Sequence, residues 1–325
     1  YDPDTGKRLW RRYTVPAPGE KGSETWPKNS KAWATGGGST WITGSYDPQL
    51  DLMYWGTGNA APWNPDSRPG DNLYTASVIA VRPKTGEIVW HYQLVPNEMF
   101  DLDANWEWII ADIQHEGKTR KVVMHMSRGG FLYVVDRTNG QLIAAPAFEK
   151  VSWASHIDLA TGRPVESPLV TNELRAGKTI EMWPSVRGAK NWPHAAFNPN
   201  TGLLYANTNN TPSTLKLVDF APYKPGMRYT GVENSYPPVK PGDVVGIPSI
   251  TPRPRRWGGN DHARASHLGS QAQFSVGDLT GGSDCDAHVR CPSVRVAVQG
   301  APASPTIPAP SRWRSPRSKA SRRRS

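Results

Sequence analysis

The segments VRPKTGEIVW (residues 81–90) and VDRTNGQLIA (135–144) decide the fold, because their plan recurs along the chain. Each has an apolar residue, a polar turn that usually contains Thr-Gly or Asn-Gly, and then a short apolar run. Glycine supplies the positive φ angle that tight hairpin turns require. The plan therefore predicts a series of β-hairpins. It recurs at YDPDTGKRLW (1–10), YDPQLDLMYW (46–55), IDLATGRPVE (157–166) and FNPNTGLLYA (197–206).

The spacing of these repeats predicts an all-β protein with a β-propeller fold. Tyr1 and Tyr46 are 45 residues apart, and Gly162 and Gly202 are 40 apart. Periods near 40 with four short strands per unit are typical of propeller blades. The sequence shows no long amphipathic helix. Turn chemistry alone explains most of the repeats, so they indicate a fold and not a function. Short apolar runs predict strands at 76–80, 122–126, 131–135 and 203–206.

The net charge of +10 belongs mainly to the C-terminal segment. Residues 253–325 contain 13 Lys and Arg against 4 Asp and Glu, whereas residues 1–252 contain 25 against 24. The repeats also stop near residue 252, and a tail rich in Pro, Ser and Arg does not bury enough apolar surface to fold. We therefore predict a partial propeller over 1–252 and a basic tail over 253–325 that is disordered or encoded in a shifted reading frame.

The cysteine content excludes a disulfide framework and a cysteine-based zinc site. Cys285 and Cys291 both lie in the tail and form neither a disulfide framework nor a credible zinc site, which would need more ligands. No signal peptide or membrane span is visible in the sequence.

Residues 36–72 combine a glycine run, a tryptophan (Trp41), a Tyr-Asp-Pro turn, an apolar strand and a glycine-flanked asparagine (Asn59). The acidic sequence FDLD follows at 100–103. An aromatic face, a rigid amide and nearby carboxylates suggest a site for a planar cofactor, a metal ion and a catalytic carboxylate.

Seven motifs in order resemble those of the pyrroloquinoline quinone (PQQ)-dependent alcohol dehydrogenases, the methanol and ethanol dehydrogenase group. The resemblance covers residues 1 to about 250 and implies an eight-bladed propeller, of which about four blades are present here. The motifs are GGGSTW (36–41), SYDP (45–48), YWGTGN (54–59), PWNPDSRPGDN (62–72), PNEMFDLD (96–103), SRGG (127–130) and NWPHAAFNPNTGLLY (191–205).

The resemblance implies four contacts to PQQ. Trp41 matches the tryptophan that stacks under the quinone ring, where an aromatic floor adds to apolar burial. Arg128 matches an arginine that binds near the reactive carbonyl and stabilises its developing negative charge, a catalytic role. Asn191 and Trp192 match a pair that approaches the cofactor from a later blade. The residues alone leave other interpretations open: a core tryptophan, a surface arginine in a hairpin, and packing at a strand end.

The resemblance also implies a metal site and a catalytic base. Asn59 matches a metal-ligating asparagine, and Asp101 matches the carboxylate that removes the alcohol proton and contacts the metal. Asp103 resembles the second aspartate of lanthanide-dependent members, whereas calcium-dependent methanol dehydrogenases usually have a small residue there. Calcium or a light lanthanide is therefore expected. Phe100 and Trp106 depart from the family pattern. The alternative for Asn59 is an asparagine turn, and the alternative for Asp101 and its acidic neighbours is a solvated loop.

The implied function is oxidation of a primary alcohol to an aldehyde, with electrons passed to cytochrome c or a quinone. The resemblance implies a periplasmic location, allows peripheral membrane association and leaves the oligomeric state open. The family's metal-binding glutamate and adjacent-cysteine disulfide would lie upstream of Tyr1, so we expect this chain alone to be inactive and not to bind PQQ stably.

The alternative is a non-catalytic propeller that serves as a binding or assembly scaffold. A scaffold would not need Trp41, Asn59, Asp101 and Arg128 together, so their co-occurrence favours the enzyme. A third interpretation is nucleic-acid binding through the basic tail, which predicts an affinity that is lost when 253–325 is deleted. Nucleic acid is nevertheless not an expected partner, because the body carries almost no charge excess.

Overall fold

The computed structural model describes residues 1–209, 211–220, 222 and 224–236, together with the backbone of 271–275 and 297–299. In these residues strands dominate and the helical segments are short. They are 3₁₀ turns at Ser23–Thr25, Ala32–Ala34 and Pro65–Ser67 and a π-helical turn at Leu169–Leu174. The strands are β1 (Ser45–Asp47), β2 (Leu52–Gly56), β3 (Ser77–Val81), β4 (Ile88–Gln93), β5 (Ile109–His115), β6 (Lys118–Met126), β7 (Leu132–Asp136), β8 (Leu142–Ala144), β9 (Ala154–Asp158), β10 (Arg163–Glu166), β11 (Ile180–Met182), β12 (Ala196–Asn198), β13 (Leu203–Asn207), β14 (Ser213–Leu217), β15 (Val232–Ser235), β16 (Gln271–Ser275) and β17 (Ala297–Gln299).

Most of the repeats form the hairpins that their turn residues predict. The hairpins are β1–β2, β3–β4, β7–β8, β9–β10 and β12–β13. In the β7–β8 turn, Asp136 accepts a hydrogen bond from the Thr138 amide at 2.9 Å, and Gly140 has a φ of 82°. Residues 1–10 make the turn but no strand, because no neighbouring strand pairs with them among the described residues.

The strands form three four-stranded antiparallel sheets and two smaller ones within the described residues. The four-stranded sheets have the orders β1-β2-β3-β4, β5-β6-β7-β8 and β12-β13-β16-β17. The smaller sheets are β9-β10 and β11-β14-β15. In the second of them β11 pairs with β14, which follows β12 and β13 in the chain. Consecutive four-stranded meanders are the arrangement of propeller blades.

The predicted tail lies mostly outside the described residues, including Cys285 and Cys291. Its two described stretches, β16 and β17, extend the sheet of β12 and β13. The domain boundary near residue 252 and the nature of the tail remain predictions.

The sheet β5–β8 is buried on both faces. Val123 and Tyr133 pack in one hydrophobic cluster with residues of β2, β3 and β4, whereas Val122 and Val134 pack in a second cluster with Leu204 of β13. Successive side chains of a strand point to opposite faces. The nearly continuous apolar runs of β6 and β7 therefore supply both neighbours, which fixes this sheet between them.

Arg137 joins the first two four-stranded sheets through buried polar contacts. Its guanidinium donates to Asp47 of β1 at 2.7 Å, and both side chains are almost fully buried. It also donates to the Ala111 carbonyl of β5 at 2.6 Å. The Arg137 carbonyl in turn accepts hydrogen bonds from the Tyr54 hydroxyl at 3.0 Å and the Trp90 indole at 3.2 Å.

None of the helices in the described part of the chain is long and apolar enough to cross a membrane.

The substitution Arg137→Ala is expected to lower the free energy of unfolding by about 3–5 kcal/mol, because it leaves Asp47 buried without its charged partner. The matched control is Arg120→Ala, since Arg120 pairs with Asp136 at 3.3 Å but is 31% exposed. This control is expected to cost at most about 1 kcal/mol. Urea unfolding followed by tryptophan fluorescence measures both, and equal losses would contradict the structural role of Arg137.

Candidate active site

Four of the predicted site residues form one hydrogen-bonded cluster. Arg128 donates through Nη1 to Asp103 Oδ2 at 2.6 Å and through Nη2 to Asp101 Oδ2 at 3.0 Å. The other carboxylate oxygen of Asp103 accepts a hydrogen bond from the backbone N–H of Asn59 at 2.8 Å. The structure therefore brings together the predicted metal ligands and the predicted catalytic arginine.

The strand order explains this convergence. Asn59 follows β2, Asp101 follows β4 and Arg128 follows β6. In an antiparallel meander every second connection lies at the same end of the sheet. The connections after β2 and β4 are also bonded to each other, because the Ala104 amide donates to the Thr57 carbonyl at 3.1 Å.

The segment Gly58–Asn59 packs directly against the loop that carries the two aspartates. A Cβ atom on Gly58 would lie 3.0 Å from Asp103 Oδ1 and 3.1 Å from Asn105 Oδ1. The Asn105 side-chain amide donates to the Ser39 carbonyl at 2.5 Å, and its buried Oδ1 has no hydrogen-bond partner among the residues that the structure describes. Glycine at position 58 thus permits the close approach of polar oxygens.

Arg128 is held from a second direction by residues 186–189. Its Nη2 also donates to the Val186 carbonyl, and its own carbonyl accepts from the Ala189 amide at 2.8 Å. Gly188 has a φ of 82°, and a Cβ there would lie 2.6 Å from the Cβ of Arg128. The guanidinium is therefore fixed before any ligand binds, as electrostatic stabilisation of a reaction requires.

Asp101 has an unusual backbone and an unusual carboxyl group. Its φ is 64°, a left-handed conformation that non-glycine residues seldom adopt. Burial raises the pKa of the Asp101 carboxyl to about 7, although the neighbouring Arg128 opposes this shift. The Asp103 and Glu98 carboxylates raise the pKa further. Its side chain remains 21% exposed, so it can be reached from solvent.

The other predicted cofactor contacts, Trp41, Asn191 and Trp192, lie in segments whose preceding residues bond to this cluster or to its neighbours. Trp41 lies just beyond Ser39, whose carbonyl accepts from Gly58 at 2.9 Å, and Trp41 is 46% exposed. Asn191 and Trp192 follow Ala189, and the Trp192 indole is 58% exposed. The exposure of Trp41 contradicts the alternative that it is a core tryptophan. The proposed stacking and binding roles of Trp41, Asn191 and Trp192 remain predictions.

The donor set is suited to a hard cation but is incomplete by itself. Asp101, Asp103 and Asn59 offer carboxylate and amide oxygens, the ligand type that calcium prefers. Asn59 uses Nδ2 to donate to the Ala60 carbonyl at 3.0 Å, which orients the amide that carries Oδ1. In the part of the chain that the structure describes, no group of three or more His, Cys, Asp and Glu is arranged to hold a metal ion.

Calcium takes six to eight oxygens, so these residues fit only part of a metal site. Both oxygens of Asp103 already accept hydrogen bonds from the protein. A cation bound there would share an oxygen of Asp103 with Arg128 or with the Asn59 amide.

The sequence did not reveal the buried ion pair between Lys190 and Glu107. Lys190 Nζ lies 2.7 Å from Glu107 Oε1, and the lysine side chain is fully buried. Burial lowers the pKa of Lys190, while Glu107 opposes this effect. Glu107 also accepts from the Ala195 amide at 2.8 Å, so it holds the segment that contains Asn191 and Trp192. No local pattern marks Lys190 as buried, because its partner lies 83 residues away.

The alternative of a solvated acidic loop is wrong. Glu98 is 0% exposed, and Asp103 is 7% exposed. Glu98 and Asp103 therefore face the protein interior, where carboxylates require partners, whereas Asp101 and Glu107 are only partly buried. Glu98 was not among the predicted site residues.

Comparisons with known proteins identify the family. The family model described as glucose/ethanol/alcohol dehydrogenase, beta-propeller domain, with PQQ, matches residues 1–156. Quinohemoprotein alcohol dehydrogenase ADH IIB of Pseudomonas putida is 47% identical over 229 residues, 66% of this chain and 33% of that protein. The lanthanide-dependent methanol dehydrogenase of Methylorubrum extorquens is 35% identical over 277 residues, 76% of this chain and 45% of that protein.

Solved structures give the same result. The quinohemoprotein alcohol dehydrogenase ADHIIG of Pseudomonas putida HK5 superposes with a TM-score of 0.68 at 35% identity, covering 73% of this chain and 37% of that one. A europium-containing methanol dehydrogenase superposes with a TM-score of 0.60 at 40% identity, covering 68% of this chain and 38% of that one.

These matches and the antiparallel sheets define part of a β-propeller of the quinoprotein type. Within that class, the chain belongs to the family of PQQ-dependent alcohol dehydrogenases. The prediction of a quinoprotein-type propeller is thereby confirmed. The chain spans between 33% and 45% of the length of the curated relatives ADH IIB and lanthanide-dependent methanol dehydrogenase.

The substitution Gly188→Ala is expected to lower the free energy of unfolding by roughly 2–5 kcal/mol. About 1–2 kcal/mol comes from the left-handed backbone, and about 1–3 kcal/mol comes from overpacking against Arg128. The matched control is Gly177→Ala, because Gly177 has a φ of 76° and open space around its Cβ position. The control is expected to lose only the backbone contribution. Chemical denaturation compares the two variants, and equal losses would contradict tight packing of Gly188 on Arg128.

Proposed function

We propose that this chain supplies the base, the arginine and part of the metal site of a PQQ-dependent dehydrogenase that oxidises a primary alcohol to an aldehyde. The observation that carries this proposal is the cluster in which Arg128 binds both Asp101 and Asp103. A structural scaffold would have no need to bury two carboxylates beside an arginine at the loop end of its sheets. Family membership supports the same reaction class.

In the proposed reaction, Asp101 accepts the hydroxyl proton of the alcohol on its carboxylate. The hydrogen bond from Arg128 holds this carboxylate in place. By family resemblance, the positive charge of Arg128 would stabilise the negative charge that develops on the carbonyl oxygen of the cofactor. Trp41 and Trp192 offer aromatic faces to a planar ring, and Asn191 offers an amide. Asn59, Asp101 and Asp103 would hold the cation. Bound PQQ supplies the hydride acceptor, and the cation acts as a Lewis acid.

We further propose a periplasmic location, a small alcohol as substrate and cytochrome c or a quinone as electron acceptor. Two relatives named quinohemoproteins support a haem-linked electron path. Peripheral membrane association is a further possibility that the family resemblance allows.

The test of the proposed reaction uses a chimera, because this chain spans a minority of each relative's length. The segment of this chain that matches ADH IIB replaces the corresponding segment of that enzyme. We expect PQQ-dependent oxidation of a primary alcohol with a dye as electron acceptor, and a loss of kcat on the order of 10²–10⁴-fold in Asp101→Asn. Asp66→Asn, at an exposed position, is the control.

The unmodified chain is the reference in the same experiment, and it is expected neither to bind PQQ stoichiometrically nor to oxidise the alcohol. An active Asp101→Asn chimera would refute the role of Asp101. Tight binding of PQQ by the chain alone would refute its dependence on further segments.

Asp103 is proposed to favour a light lanthanide over calcium, because a trivalent ion gains more from an additional anionic oxygen. Two relatives named lanthanide-dependent methanol dehydrogenases support this choice. In the chimera, Asp103→Ala is expected to reduce lanthanum-supported activity at least about tenfold more than calcium-supported activity. Reconstitution of the metal-free chimera with each ion measures both. Equal or better activity of the parent with calcium would contradict the preference.

A further inference from the structure

Glu98 is a fully buried carboxylate that contacts the backbone on both sides of Asp101. Its Oε1 accepts hydrogen bonds from the Phe100 amide at 2.6 Å and from the Leu102 amide at 2.9 Å. The side chain is 0% exposed. Hydrogen bonds from backbone amides to a carboxylate are stronger than those between neutral groups.

The rest of Glu98 is held as firmly as its carboxylate. The buried guanidinium of Arg68 donates to the Glu98 carbonyl and, at 2.7 Å, to the Pro62 carbonyl. The preceding Asn97 donates through its side chain to the Gly70 carbonyl at 2.9 Å. The segment 62–72 therefore anchors the loop that contains Asn97 and Glu98 through these hydrogen bonds.

The backbone that Glu98 holds is an uncommon one. Asp101 has a φ of 64°, a conformation that persists in a non-glycine residue where surrounding contacts enforce it. Glu98 bonds the amides immediately before and after this residue, which fixes the direction in which the Asp101 side chain leaves the loop.

We propose that Glu98 is a positioning residue for Asp101: its carboxylate locks the left-handed loop so that the Asp101 carboxylate meets Arg128. The importance of this positioning for catalysis rests on the proposed function. The effect of Glu98 on the geometry of the loop does not, so the positioning role and the proposed function can be refuted separately. Glu98 touches neither a reacting atom nor a metal ligand side chain in this mechanism, and it acts through the backbone.

The role requires an accepting oxygen at the position of Oε1 more than it requires a charge. Glu98→Gln keeps that oxygen and the length of the side chain. Glu98→Met keeps the length and loses the acceptor, and Glu98→Asp withdraws the carboxylate by one methylene. Glu116→Met is the matched control, because Glu116 is exposed in the β5–β6 turn and also has a positive φ of 51°.

The test measures hydrogen exchange at the Phe100 and Leu102 amides of the full chain, together with the NMR signals of the Arg128 guanidinium. In Glu98→Met and Glu98→Asp, exchange is expected to accelerate roughly tenfold or more, because a buried hydrogen bond is lost. The Arg128 signals are expected to shift or broaden as its contact with Asp101 loosens. Glu98→Gln and Glu116→Met are expected to retain the parent exchange rates and signals.

Unchanged exchange in a folded Glu98→Met or Glu98→Asp protein would overturn the proposal. Acceleration by Glu98→Gln equal to that of the other two variants would also overturn it, because general disruption of the core would then explain the effect. If Glu98→Met does not fold, Glu98→Asp and Glu98→Gln decide the question. An inactive chimera with the expected exchange pattern would refute the proposed function and leave the positioning role intact.

Discussion

The buried pair of Arg137 and Asp47 is the interaction on which the site most depends. It ties the end of β7 to β1 and, through the Ala111 carbonyl, to β5. These hydrogen bonds fix the two sheets relative to each other at this end. The loops at their opposite ends carry Asp101 and Arg128, which must meet within hydrogen-bond distance. A buried ion pair adds little stability compared with apolar packing, but it tolerates few alternative arrangements.

Local chemistry explains why much of the fold was predictable. The Asp136 side chain and the positive φ of Gly140 make their turn without help from the rest of the chain, so the repeats identified the hairpins. The double burial of β6 also follows from its apolar run. The sheet β11-β14-β15 was not predictable, because the pairing of β11 with β14 joins segments that are far apart in the chain.

The site shows the same division. Asn59, Asp101 and Arg128 were identified from family motifs, and the structure brings them together. Glu98 and Lys190 were missed, because their roles depend on burial and on hydrogen-bond or ionic partners that the adjacent sequence does not indicate. The exposed Trp41 shows the reverse case, because its residue type allowed a core position and the fold leaves its face accessible.

The charges of the cluster explain why a cation and an arginine are both suited to it. With Asp101 and Asp103 ionised, two negative charges face one positive charge on Arg128, so the cluster keeps a net negative charge in a poorly solvated place. Burial without a further cation raises the pKa of Asp101 to about 7. A bound cation would favour the ionised carboxylate and lower that pKa. Arg128 therefore orients the carboxylates, and a bound cation would add a second positive charge that favours the ionised form of the proposed base.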